Sequence, residues 1–164
     1  MAVWPFYLSL CLLLTLGASE EMHSQRDGNK SCGDCQAGWS AFGCRCFKFF
    51  SNSEIWIDAE NICQDFDGHL ASIHSDEEYV FIQNLIRYTT HEPTRAWIGG
   101  HDAVHEGAWL WSDGSKFNYQ IWFSGEPNDD GNEDCLEMNF ANGNWNDRKC
   151  YETAAFCLNS HTHH

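Results

Sequence analysis

The sequence predicts an α+β domain in which two amphipathic helices precede a mostly antiparallel sheet interrupted by one long polar loop. Apolar residues recur at three- and four-residue spacing in two stretches between residues 53 and 90, the period of a helix with one buried face. After Pro93 that period gives way to brief strand-like runs. Residues 112–134 follow neither period and are largely polar. A small ordered domain rarely carries such a stretch unless a function or a ligand organises it.

The elements follow in order. Residues 1–19 carry no charged side chain, and their apolar run from Val3 to Leu16 ends at the small residues Gly17, Ala18 and Ser19. That run is short for a membrane span and is expected to be a cleaved signal peptide of a secreted, extracellular protein. Residues 20–34 read as a polar arm bearing an N-glycosylation sequon, Asn29-Lys30-Ser31. The domain itself is expected over residues 35–158, with residues 159–164 as a tail. Cys46 to Phe50 reads as an early strand. Ser53 is expected to cap a helix running to Asp67, with Trp56, Ala59, Cys63 and Phe66 on one face and Gly68 as its stop. Ser75-Asp76-Glu77-Glu78 reads as a capping box opening a second helix, whose buried stripe is Tyr79, Ile82 and Ile86. Strands are then expected at residues 96–99, 108–111, 135–138, 143–145 and 155–158.

The net charge is −15. That excess of acid argues against binding to phosphate backbones and against insertion into anionic membranes. Removing Cys11 with the leader leaves Cys32, Cys35, Cys44, Cys46, Cys63, Cys135, Cys150 and Cys157. An even set in a small exported domain predicts disulfides, although spacing alone does not select the pairing. Cys32-Gly33-Asp34-Cys35 has redox-motif spacing but lacks the strand-then-helix context that such chemistry needs. His101 and His105 have metal spacing only on a helix, and they fall between strands. Trp97, Trp109, Trp111 and Trp145 are expected in the core.

The acids gather in one place. Glu126-Pro127-Asn128-Asp129-Asp130-Gly131-Asn132-Glu133-Asp134 offers only oxygen-bearing polar side chains, and Asn144-Trp145-Asn146-Asp147 adds more. Carboxylates mixed with amide carbonyls suit calcium, which takes six to eight oxygens. Zinc is disfavoured because neither Cys nor His lies within the loop. Composition alone leaves a solvated acidic loop equally open. Crowding so many acids without a counter-charge tilts the balance towards a cation.

Trp97-Ile98-Gly99-Gly100, Glu126-Pro127-Asn128 and Trp145-Asn146-Asp147, together with the cysteines, resemble the C-type lectin domain. Cys35, Gly38-Trp39 and Cys46 resemble its long form, and Leu70 to Tyr79 resembles the secreted lectins and type II antifreeze proteins of fishes. The resemblance covers residues 35–158. It implies a C-type lectin-like fold with two helices, small antiparallel sheets and a long calcium-binding loop. It also implies the bridges Cys63–Cys157, Cys135–Cys150 and Cys35–Cys46, leaving Cys32 and Cys44 to bond each other or to join two chains. A sugar-binding calcium (Ca2+) would be held by Glu126, Asn128, Glu133, Asn146 and Asp147, with Pro127 in the cis form. A second calcium would use Asp102, Glu106, Asp129, Glu133 and Asp134, and the segment between Asn128 and Glu133 is about one residue shorter than in mannose-binding proteins.

In the family the order Glu-Pro-Asn goes with mannose, fucose and N-acetylglucosamine, and the reverse order Gln-Pro-Asp with galactose. The expected partner is therefore a mannose-type glycan, as on microbial surfaces, bound by a chain able to form a homo-oligomer. Ice binding on the same scaffold is the nearest alternative. A hydrolase built on Glu126 and Glu133 is disfavoured, since glycosidases keep one carboxyl protonated in an apolar pocket and this loop is polar.

Overall fold

The computed structural model describes residues 32–161. The expected leader and the Asn29 sequon lie outside the described residues. The chain runs β1 (Ser40–Phe42), β2 (Arg45–Ile55), α1 (Trp56–Asp65), β3 (His69–Leu70), α2 (Asp76–Thr90), β4 (Ala96–His101), β5 (Leu110–Trp111), β6 (Cys135–Met138), β7 (Asn146–Arg148) and β8 (Thr153–His161). A short 3-10 turn spans Ala141–Gly143 between β6 and β7. No helix among the described residues is long and apolar enough to cross a membrane.

One sheet links these strands in the order β1-β2-β8-β4-β6-β7, with β3 also on β8 and β5 also on β4. Every named pairing is antiparallel except that of β4 with β8. The two helices are as expected in type and order, but the first starts later. Ser53 lies in β2, because Glu54 and Ile55 pair with Ala154 and Thr153 of β8. The helix begins at Trp56 after Ile55, which makes no side-chain cap. Gly68 follows that helix for a different reason from the one expected: the positive φ belongs to Asp67. A Cβ at Gly68 would stand 2.5 Å from the carbonyl oxygen of Asn159. Ser75 caps α2 by accepting from the Glu78 amide at 3.2 Å, and His91 closes it in the left-handed conformation.

Two further boundaries differ. The strand expected at residues 143–145 is β7, three residues later, because Asn142 at φ 58° turns the chain first. The expected tail begins inside β8, where Asn159 and Ser160 are buried and pair with Phe47 and Cys46.

Side chains of β8 alternate between two apolar clusters. Ala155 and Cys157 join the cluster of Phe47, Ile73, Tyr79, Ile82, Ile86 and Trp145 beneath α2. Phe156 and Leu158 join that of Trp56, Ala59, Cys63, Leu70 and Trp97 beneath α1. Trp97, Trp111 and Trp145 are core residues, and Trp109 packs half-buried against the cluster of Trp111 and Trp145. The rings of Trp111, Phe117, Tyr119 and Trp122 lie 5.7–6.0 Å from that of Trp145. The long loop is therefore pinned by aromatic packing where it lacks regular structure.

Bridges join Cys32 to Cys44, Cys35 to Cys46 and Cys135 to Cys150. The Cys32–Cys44 bond answers the choice that the resemblance left open. Cys63 and Cys157, which the resemblance pairs, are both buried and carry free thiols in this structure. Strand alternation assigns Cys157 to the α2 cluster and Cys63 to the α1 cluster. The two are nevertheless near neighbours. Burial pushes the Cys63 thiol up, and the charges of Glu60 and Cys157 push it further.

Candidate functional site

β7 ends the strand order, so its outer edge is open to the long loop. Asp147, 1 % exposed, uses that edge. Its carboxylate accepts from the Asn128 amide at 2.9 and 3.1 Å and from the Asp129 amide at 2.7 Å. The chain leaves the turn at Gly125 through a cis Glu126–Pro127 bond. Asn128 Oδ1 then accepts from the Asp130 amide at 2.8 Å, and Asp129 Oδ1 accepts from the Glu133 amide at 2.8 Å. These local bonds are the turn chemistry that Asn and Asp favour.

The result is a convergence of acids. Burial raises the Glu126 carboxyl above its usual range, and a contact with Asp147 raises it further, while Asn128 opposes and the charge of Glu133 adds. Burial also raises Glu133, followed by the charge of Asp147, with Lys149 opposing. Glu126, Asn128 and Asp147 thus lie side by side and Glu133 within reach of their charge, although the carboxylates of Glu126, Glu133 and Asp147 do not close to within 4.8 Å of one another. Asn146, 7 % exposed, is adjacent in β7, but its Nδ2 donates to Glu137 Oε1 at 2.9 Å.

The second expected set divides. Carboxylate oxygens of Asp102, Glu106 and Asp134 lie within 4.8 Å of one another. Asp129 stands aside from that trio with Oδ1 committed to the Glu133 amide, although its charge reaches Glu106. Glu133 takes its charge neighbours from the Asp147 side. Three of the five residues therefore come together. Burial raises Asp102 first, and the charges of Asp134 and Asp147 add to it. Desolvation also raises Glu106, as do Asp102, Asp129 and Asp134.

The donor set suits calcium on two counts. Its polar atoms are carboxylate and amide oxygens, the ligands of a hard cation. Two of them, Glu126 Oε2 and Asp102 Oδ1, are the carboxylate oxygens among the described residues that are buried without a hydrogen-bond partner, a condition that a bound cation would relieve. One such orphan stands in each expected site. His101 ends β4 and packs edge-on against the Trp56 ring at 5.4 Å, so it forms no zinc pair with His105.

Glu137, Arg95, Arg148 and Lys149 were not foreseen. Arg95 and Arg148 both reach Glu137, and Lys149 stands beside Glu133 and Gly131. Their only trace in the sequence is a carboxylate set in the strand run Cys135-Leu136-Glu137-Met138.

Residues 52–157 match the family model "Lectin C-type domain". The chain is 41% identical over 151 residues to the "Galactose-specific lectin nattectin" of Thalassophryne nattereri, covering 92% of this chain and 91% of that one. It is 40% identical over 118 residues to the "Type-2 ice-structuring protein" of Hemitripterus americanus, covering 71% and 69%. Among solved structures, herring type II antifreeze protein superposes with a TM-score of 0.74 at 32% identity, covering 79% of this chain and all of the other. The acidic loop and the sheet that carries it are those of a C-type lectin domain, and the chain belongs to that family.

Proposed function

We propose that the protein is a secreted, calcium-dependent carbohydrate-binding lectin, a binding module rather than an enzyme. The observation that carries this reading is the loop Glu126–Asn128 held on Asp147 by the Asn128 and Asp129 amides, with Glu126 Oε2 buried and unpartnered beside it. Glu126, Asn128, Glu133, Asn146 and Asp147 would hold the ion, which when bound supplies a Lewis-acid anchor for two neighbouring sugar hydroxyls. The carboxylates of Glu126 and Glu133 accept from those hydroxyls, and the amides of Asn128 and Asn146 donate to them. Asp102, Glu106 and Asp134, with Asp129 and Glu133 nearby, would hold a second ion that neutralises the base of the loop.

The acid-then-amide order of Glu126-Pro127-Asn128 supports mannose, fucose or N-acetylglucosamine as the ligand. The name of nattectin points instead to galactose for that relative, so the preference of this chain needs its own test. On monosaccharide arrays in calcium, wild type should prefer mannose over galactose, and Glu126→Gln with Asn128→Asp should shift the ratio about tenfold towards galactose, the size of a 1.4 kcal/mol change. An unchanged preference in the double variant contradicts the assignment.

A shallow single site binds weakly, so recognition of microbial surfaces would draw on several copies. Cys32 and Cys44 are bonded within one chain, so a homo-oligomer would form through non-covalent contacts. Extracellular oxidising conditions would also close Cys63 onto Cys157. The intact mass of secreted protein should then show four bridges and no alkylation before reduction. Two alkylated thiols would contradict this.

Ice binding is the second reading, favoured by the similarity to the ice-structuring protein of Hemitripterus americanus. Thermal hysteresis in dilute solution distinguishes it from sugar binding.

A further inference from the structure

Glu137 occupies β6 among Cys135, Leu136 and Met138, and its side chain is 0 % exposed. Arg95 Nε donates to Oε2 at 2.9 Å and Arg95 Nη2 donates to Oε1. Arg148 Nη1 donates to Oε2 at 3.2 Å. Both guanidiniums are held in turn, Arg95 over the Phe140 ring at 4.9 Å and Arg148 over the Trp97 ring at 5.2 Å. Two cations explain how a carboxylate survives in the core. They do not explain its presence, since an apolar side chain of similar size is often no less stable than a buried ionic group. The fourth donor supplies the reason: Asn146 Nδ2 at 2.9 Å from Oε1.

We infer that Glu137 is a positioning residue for the first ion site, fixing which end of the Asn146 amide is offered to the ion. This rests on the reading of Asn146 as a ligand. An amide has an oxygen end and a nitrogen end of nearly the same size. A carboxylate between two guanidiniums only accepts, so it takes the nitrogen end of Asn146. Oδ1 and the second N–H are left over, which are the two functions that a metal and a sugar hydroxyl require. The reversed amide would set Oδ1 against Oε1, two acceptors with no proton between them. An aspartate at this position would set two carboxylates against each other. Glu137 therefore also decides that residue 146 is an amide.

The test uses the chelator-treated full domain with calcium alone as the titrant in calorimetry. Loss of a partner that orients a ligand typically weakens metal binding about 10–100-fold. Glu137→Ala should do so, whereas Glu137→Gln, which keeps an acceptor, should lose less. Asn146→Ala should weaken binding too, and adding Glu137→Ala to it should cost nothing more, because Glu137 acts through Asn146. In the metal-free protein, the Asn146 side-chain NH2 should exchange slowly in wild type and rapidly in Glu137→Ala. Should Glu137→Ala not fold, Asn146→Asp takes its place: it should lose at least tenfold in affinity, and adding Glu137→Gln should restore much of that. Additive losses, equal calcium affinity in wild type and Glu137→Ala, or no recovery in the Asn146→Asp pair overturns the inference while leaving the lectin reading in place. A wild type that binds no calcium overturns both.

Discussion

The domain carries two groups of acidic side chains, and they are treated in opposite ways. In the body of the fold each buried carboxylate is surrounded by donors. Glu60 accepts from Leu70 N at 2.9 Å, Gln64 Nε2 at 3.0 Å, Ser112 Oγ at 3.0 Å and His69 Nδ1 at 2.6 Å. Glu78 accepts from Arg45 at 2.7 Å and from the His74 amide at 2.8 Å. Along the loop Asp147, Asp129 and Asp102 also accept from backbone amides, but like charges crowd together and Glu126 Oε2 and Asp102 Oδ1 have no partner. Folding has completed the first group with the chain's own hydrogen bonds. On the proposed reading the second is completed by a cation from outside, and that contrast would separate acids serving the fold from acids serving a ligand.

The comparison breaks most forcefully at Arg45. Arg45→Ala strands Glu78, which is 5 % exposed, and should cost about 3 kcal/mol. Urea midpoints should fall equally in calcium and in EDTA, because this carboxylate belongs to the fold. A loss seen in only one condition would erase the distinction between the two groups.

Calcium should act on the other group alone. At about 100 times its dissociation constant one ion adds about 2.7 kcal/mol, so a thermal melt should move by about 10 °C for a domain of this size. Melts that coincide in calcium and EDTA would mean that the loop acids balance themselves.

A smaller effect sharpens the contrast because its sign depends on the ion. Asp102→Asn removes one like charge beside Asp134 and Asp147. In EDTA the variant should be more stable than wild type by about 1 kcal/mol, and in calcium less stable by a similar amount. Destabilisation of the same size in both conditions would place Asp102 with the structural acids.

How much of this was readable beforehand follows from which contacts are local. Glu126, Asn128 and Asp147 stood out because oxygen-bearing residues are dense along a short stretch, and Ser75 stood out because a cap is read within four residues. Ser53 misled because the pairing of Glu54 with Ala154, one hundred residues away, extends β2 through the expected cap. The Asn146–Glu137 bond was invisible for the same reason: it depends on the register of β6 against β7, which places the two residues opposite each other. The division of the second ion set likewise depends on turn geometry, since Asp129 at φ 49° spends Oδ1 on the Glu133 amide.

Retention on immobilised mannose tests the central claim most directly. Wild-type protein loaded in calcium should be held and should elute when EDTA replaces the ion. Retention that persists undiminished in EDTA, or a failure to bind mannose in saturating calcium, would contradict the account.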